Sequence, residues 1–246
     1  MSYPQSIVCL VPSLTELLFD LGIGDRLAGR TRFCIHPEDK VVHVPIVGGT
    51  KNPRIESILN IAPDLVIANR EENQKEHVEE LAESLEVMVT DISSIEEALL
   101  AIYEIGNRCG VADKAENLIN NIRAELDSVP DEPLQNTAYF IWRDPWMTVG
   151  NDTYIHSVLS HWNLENVYGD QKRYPKTSLK QLSRKNPELV LLSSEPYPFK
   201  EKHREEVEEA CPDSRVLMVD GEWFSWYGSR MLRAFKRLNS FRKAIS

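Results

Sequence analysis

The chain is poor in cysteine and in positive charge, and it contains no long apolar run. Four cysteines stand among 246 residues, at positions 9, 34, 109 and 211. No Cys-x-x-Cys and no zinc-ligand spacing joins them, so free thiols in a reducing compartment are the expectation. The formal net charge is -10. That balance excludes a nucleic-acid partner, because phosphate binding needs a basic footprint. No apolar run approaches the roughly 20 residues of a membrane-spanning helix. The opening, MSYPQSIVCLVPSLTELL, lacks a basic n-region, an apolar h-region and a small-residue cleavage site. As written, the chain is expected to stay in the cytoplasm. Also missing are a GxSxG elbow, a Walker loop, a Rossmann GxGxxG and an HExxH. No His-rich stretch points to a receptor for bare zinc or manganese.

What is present is a regular alternation of strand and helix signals. SIVCLV (6–11) reads as a buried strand, and Ser13 with Glu16 reads as a capping box opening a helix that Gly22 closes. DLVIA (64–68) and EVMVT (86–90) read as strands, with helices over 74–85 and 93–110. The second half repeats the alternation. Strands are expected over 136–142, 188–193 and 215–219, and helices over 152–162, 199–210 and from Ser229 onward. Between the halves, Ala115, Leu118, Ile119, Ile122 and Leu126 lie at helical spacing. The expected fold is therefore α/β, two Rossmann-like lobes with parallel sheets. Residues 1–110 form one lobe, 111–130 a helix that joins the lobes, and 131–246 the other lobe.

The halves also match in detail. IESILNIAPDLVI (55–67) aligns without gaps on LKQLSRKNPELVL (179–191). Apolar residues pair at Ile55/Leu179, Ile58/Leu182, Leu65/Leu189, Val66/Val190 and Ile67/Leu191, with Pro63 on Pro187 and Asp64 on Glu188. Two related lobes explain this pattern.

Several segments carry a resemblance to a known family: VPSLTELLFDLG, VGGTKNPRIESILNIAPDLVIA and DKAENLINNIRAEL in the first half. PWMTVGNDTYIHSVL, YPKTSLKQLSRKNPELVLLSSEP and DGEWFSWYGSR do so in the second. Through them the chain resembles the helical-backbone periplasmic-binding-protein family over almost its whole length. Within that family it is most similar to cobalamin and iron-siderophore receptors of ABC importers. The resemblance implies a binding protein and not an enzyme, acting as a monomer with an ABC transporter permease. It implies a ligand cleft between the lobes and a rigid backbone helix. The family works outside the cytoplasm, which stands against the missing export signal.

Carried over residue by residue, the resemblance places Pro12, Ser13, Thr31, Arg32, Phe33, Thr50 and Asn69 on the first wall of that cleft. On the second wall it places Trp146, Tyr174, Trp223, Phe224, Trp226 and Arg230. The cobalamin pattern has Trp where this chain has Thr50 and Asn69. No cofactor is required, and the ligand is expected to be a cobalt or iron chelate. A flat amphiphilic chelate needs aromatic faces and a few polar groups. Trp223 and Trp226 are read as cleft residues with plain packing as the other reading, Trp162 as core, and Trp142 as either. Arg230 offers a planar fork of donors to an acidic ligand group. His36, two residues from Cys34, is a candidate metal or axial ligand. Glu56 and Glu195 are the candidates for docking on transporter arginines, with Glu201 as a substitute for the latter. The alternative function is a cytosolic tetrapyrrole- or corrinoid-handling protein or a chelatase-like enzyme, built on His36 and Glu195.

Overall fold

In the computed structural model, which describes residues 3–246, the chain runs β1 (Ile7–Cys9), α1 (Pro12–Asp20), β2 (Leu27–Arg30), α2 (Glu38–Val41), α3 (Ile55–Ile61), β3 (Leu65–Asn69), α4 (Lys75–Ala82), β4 (Val87–Thr90), α5 (Ile95–Arg108) and α6 (Ala112–Leu126). It continues β5 (Gln135–Trp142), β6 (Trp146–Thr148), α7 (Tyr154–His161), β7 (Leu164–Asn166), β8 (Lys176–Thr177), α8 (Leu179–Lys185), β9 (Leu189–Ser193), α9 (Glu201–Ala210), β10 (Arg215–Val219), α10 (Glu222–Ser225) and α11 (Arg230–Ile245). Two units are present. The first holds the residues up to Ile92, Glu96–Ile122 and Tyr227–Leu232; the second holds Ser93–Ile95, Arg123–Trp226 and Arg233–Ser246. The boundaries therefore fall before Ser93, at the start of α5, within α6, before Tyr227 and within α11. Tyr227–Leu232, placed by the sequence reading in the second lobe, belongs to the first unit.

The sheet of the first unit is parallel throughout, in the order β2-β1-β3-β4. All five residues of β3 are buried, as expected of a parallel strand covered on both faces. The core there joins Val8, Leu10, Val47, Ile58, Val66 and Leu81. In the second unit β7, β5, β9 and β10 are parallel and take the same relative order. The equivalents are β7 for β2, β5 for β1, β9 for β3 and β10 for β4. The second sheet departs from the all-parallel expectation by adding β6, antiparallel to β5, and β8, antiparallel to β6.

The internal match seen in the sequence is structural. α3 ends on Ala62 at φ 47°, and α8 ends on Asn186 at φ 46°. A proline and then a strand follow each. The Asp64 N–H donates to Ser6 O at 2.8 Å, and the Ser6 N–H returns a bond to the Asp64 carboxylate at 3.0 Å. The Glu188 N–H donates to Asn136 O at 2.9 Å, and the Asn136 N–H returns one to the Glu188 carboxylate at 2.8 Å. One reciprocal clasp thus ties the entry of the third strand to the entry of the first in both units.

The capping box expected at Ser13 and Glu16 does not form. Pro12 occupies the first turn of α1 and Val11 is the N-cap, with no side-chain cap bond. Proline fits that turn because its missing N–H would have no helical partner there. Ser13 and Glu16 are instead buried inside the helix. α6 is 15 residues long, about 22 Å at 1.5 Å per residue. Its Ala115, Ile119, Ile122 and Leu126 are buried, as the spacing predicts. Among the described residues, no helix is long and apolar enough to cross a membrane.

Candidate ligand-binding surfaces

In parallel sheets the loops after the strands gather at one edge, and ligands of open α/β sheets bind at that edge. In the first unit, Pro12 and Ser13 follow β1, Thr31 to Phe33 follow β2, and Asn69 closes β3. The sequence reading therefore brought together residues that share one sheet edge. They do not share one role. Phe33 is 49% exposed, with the Arg32 guanidinium 5.1 Å from its ring centroid. Both pack toward Gly49, where a Cβ would lie 3.4 Å from the Phe33 ring and 3.3 Å from the Arg32 guanidinium. Gly48 precedes it at φ 118°, a conformation L side chains rarely adopt. Its carbonyl accepts the Arg32 N–H at 2.9 Å. Arg32, Phe33, half-buried Pro12 and half-buried Thr50 thus form the accessible part of this edge.

Thr31, Asn69 and Ser13 are buried and serve the scaffold. Asn69 Oδ1 accepts the N–H groups of Glu71 and Glu72, and its Nδ2 donates to Thr90 Oγ1 at 3.0 Å. The Asn73 side chain accepts the Asn69 N–H at 2.8 Å and donates to Thr50 O at 3.0 Å. Asn69 is therefore a loop anchor and not a contact surface. Asn73 was missed; its spacing of four from Asn69 was the available signal. Arg30, also missed, is 7% exposed and donates to the carbonyls of Val41, Val44, Thr31 and Cys34, holding the loop that carries Phe33.

Cys34 is fully buried, with Sγ 3.1 Å from Thr15 Oγ1 and 3.2 Å from Thr31 Oγ1. Burial pushes its thiol above the ordinary value, which disfavours the thiolate a metal would need. Among the described residues, no group of three His, Cys, Asp or Glu is placed to hold a metal ion. His36 is half-buried on the same loop.

Arg230 belongs to the first unit and forms an ion pair inside it. Its Nε and Nη2 donate to the two oxygens of Glu16 at 2.7 and 2.8 Å. This ion pair gives Arg230, expected to orient a ligand acid, a structural partner in the first unit.

In the second unit the carboxyl ends of β5, β9 and β10 carry the aromatic residues. Trp223 and Trp226 are half-buried, Trp142 is 40% exposed, and Tyr197 stands 5.6 Å from the Trp142 ring. Tyr174, 36% exposed, lies before β8 with Arg173 over its ring at 5.5 Å. Two expected contact residues prove to be core. Phe224 is 1% exposed and packs on Tyr139 at 5.1 Å between centroids. Trp146 is 8% exposed, stacked on Phe199 at 17° and edge-on to Phe140. The antiparallel return of β6 along β5 turns Trp146 into the core and leaves Trp142 outside. Trp162 is core as read, its Nε1–H bonded to Asn239 Oδ1 at 2.8 Å.

Of the docking candidates, Glu56 is exposed in the first turn of α3. Glu201 is exposed and pairs with Arg204 at 3.1 Å on its own helix. Glu195 turns inward: Oε1 accepts from Ser225 Oγ and from Trp226 Nε1, each at 2.8 Å. Glu195, first expected to dock, thus has one carboxylate oxygen engaged within its own unit.

Residues 7–210 match the family described as periplasmic binding protein. An uncharacterized ABC transporter substrate-binding lipoprotein of Bacillus subtilis, YvrC, is 25% identical over 96% of this chain and 79% of its own. The vitamin B12-binding protein of Pectobacterium carotovorum is 24% identical over 99% of this chain and 90% of its own. The crystal structure of the vitamin B12 binding protein BtuF of Vibrio cholerae superposes with a TM-score of 0.84 at 19% identity, covering 98% of this chain and 97% of that one.

Proposed function

Because the chain belongs to the periplasmic binding protein family, we propose that it is the substrate-binding component of an ABC-type importer, and that its ligand is a flat metal chelate. A corrinoid comes first, haem or a ferric siderophore second. The observation that carries the ligand class is the aromatic surface of the second unit, where Trp142, Tyr197, Trp223 and Trp226 keep ring area accessible at the ends of three strands. Rings of this kind offer large apolar area with a polar handle. At the corresponding strand edge of the first unit, Arg32 beside Phe33 offers a cation suited to an acidic or carbonyl group.

The relatives favour this reading over the cytosolic alternative. One is named an ABC transporter substrate-binding lipoprotein and another a vitamin B12-binding protein. The chain binds and does not turn over its ligand. A chelatase built on His36 and Glu195 is disfavoured because the Glu195 carboxylate is engaged by Ser225 and Trp226. Glu56 is the charge offered to the permease. Such charges steer docking more than they add affinity.

The test is a spectral and fluorescence titration with cyanocobalamin, cobinamide, haemin and a ferric siderophore. At least one should bind with submillimolar affinity and quench tryptophan emission. No binding across all four would contradict the proposal.

A further inference from the structure

Glu195 sits just beyond β9, and its backbone is fixed before its side chain does anything. The Ser193 hydroxyl donates to Glu195 O at 2.5 Å, and the Glu195 N–H lies 3.3 Å from the same Oγ. The hydroxyl of buried Tyr139 in turn donates to Ser193 Oγ at 3.0 Å. On the other side, the Gly221 N–H donates to Ser194 Oγ at 3.0 Å. Gly221 admits a close approach: a Cβ there would lie 2.4 Å from Ser193 Oγ and 2.6 Å from Glu195 Cγ. α10 is thereby seated directly on the residue that follows β9.

The side chain completes the arrangement. One oxygen, Oε1, accepts from both Ser225 Oγ–H and the Trp226 indole N–H, each at 2.8 Å. An indole has only one donor, so a bond to it fixes the direction in which the ring's N–H edge points. A bond to an ionised acceptor holds it more strongly than a neutral one.

We propose that Glu195 is a positioning residue for ligand binding: acting through Ser225 and Trp226, its carboxylate fixes the indole of Trp226 within the aromatic surface of the second unit. The ligand part of this inference rests on the function proposed above. The coupling between the two side chains does not.

A pH dependence follows. The groups facing the carboxyl are Glu222 on α10, Asp220 before it and Tyr139 on β5, besides the two donors. Burial is the largest influence and raises the Glu195 carboxyl above its ordinary value. The Ser225 bond lowers it, Glu222 raises it, the Trp226 bond lowers it and Asp220 raises it, leaving the net shift upward. A carboxyl held upward in the folded state binds its proton more tightly there than in the unfolded chain. Its contribution to stability therefore falls as pH rises and is not lost in acid. Protonation weakens the hold on Trp226 without unfolding the unit.

The experiment follows tryptophan emission of the ligand-free chain from about pH 8 to about pH 4, in the wild type and in Glu195→Gln, Glu195→Ala and Trp226→Phe. The wild type should show a reversible transition with its midpoint above the ordinary 4.5. Trp226→Phe and Glu195→Gln should lack it. Cyanocobalamin and haemin titrations near pH 8 then read the positioning role. Glu195→Ala should weaken the bound chelate about tenfold, and Glu195→Gln, which keeps an acceptor for the indole, should restore it to within about threefold. Urea unfolding of each variant shows that the fold is kept. A transition that persists in Glu195→Gln, or one absent from the wild type, overturns the coupling. Wild-type affinity in Glu195→Ala overturns the positioning role. If the wild type binds neither chelate, the proposed function fails, and the emission arm still decides the coupling.

Discussion

Glu16 and Arg230 stand 214 residues apart in the chain and meet in a two-point ion pair, with donor distances of 2.7 and 2.8 Å. The Glu16 side chain is 3% exposed and that of Arg230 is 16% exposed. The pair fixes Tyr227–Leu232 onto α1 of the first unit. Removing one partner leaves a buried charge without its counterpart, a loss of about 3–5 kcal/mol. Arg230→Ala should therefore lower the urea unfolding free energy by that order. Glu16→Leu combined with Arg230→Met should recover most of it, because a buried pair replaced by apolar groups is often neutral. An Arg230→Ala variant with unchanged stability and abolished ligand binding would return Arg230 to the ligand.

Trp146 and Trp223 should separate cleanly. Trp146 packs in the core with Phe140, Phe199 and Tyr168. Trp146→Ala should cost about 3–5 kcal/mol of stability. Trp223 is half-buried, and Trp223→Ala should cost about 1 kcal/mol or less, of the order of an ordinary surface substitution. Chemical denaturation of both variants checks the difference; equal losses would place Trp223 in the core.

His203 gives a pH test. Its Nδ1 accepts the Lys200 N–H at 2.9 Å, so that nitrogen is unprotonated, and Nε2 lies 3.3 Å from the Tyr197 hydroxyl. Burial lowers its pKa, Lys202, Arg143 and Lys200 lower it further, and Glu206 opposes them. A histidine with a depressed folded value adds stability that is present above 6.5 and is lost as pH falls through the folded value. The wild type should lose up to about 1 kcal/mol at this cap between about pH 7.5 and about pH 5.5. His203→Gln, whose side chain still accepts the Lys200 N–H, should lose less over the same range. Identical pH profiles in urea would refute the cap.

The four cysteines are all free and all buried. Burial pushes the Cys9 thiol up to about 12 and the Cys109 thiol to about 11. A thiol reagent should react slowly with the native chain and with four groups once it is unfolded. A single fast thiol in the native chain would show an accessible thiolate.

The strands and helices were legible where they obey local rules. The helix-Pro-strand repeat and the acidic residue after each proline announced the relation of the halves, but not the clasps that Asp64 and Glu188 make. The short antiparallel strands β6 and β8 were not legible, because three and two residues carry no readable period. The resemblance put Trp146 on the ligand side, and the return of β6 along β5 turns it into the core instead. Ser13 and Glu16 fit a capping box locally, but Pro12 had already started the helix and Arg230 claimed the carboxylate. Partners that distant leave no local pattern. In the aromatic run near the end of the chain, sequence identified the cluster but not its division: Trp223 and Trp226 keep exposed area, while Phe224 and Tyr227 are buried.

The most direct measurement titrates wild type and Trp223→Ala side by side with cyanocobalamin and haemin, reading affinity and the urea unfolding midpoint together. A chelate should bind the wild type, and affinity in Trp223→Ala should fall by about tenfold, the scale of one lost ring contact, with the midpoint nearly unchanged. Unchanged affinity in the variant would contradict this expectation.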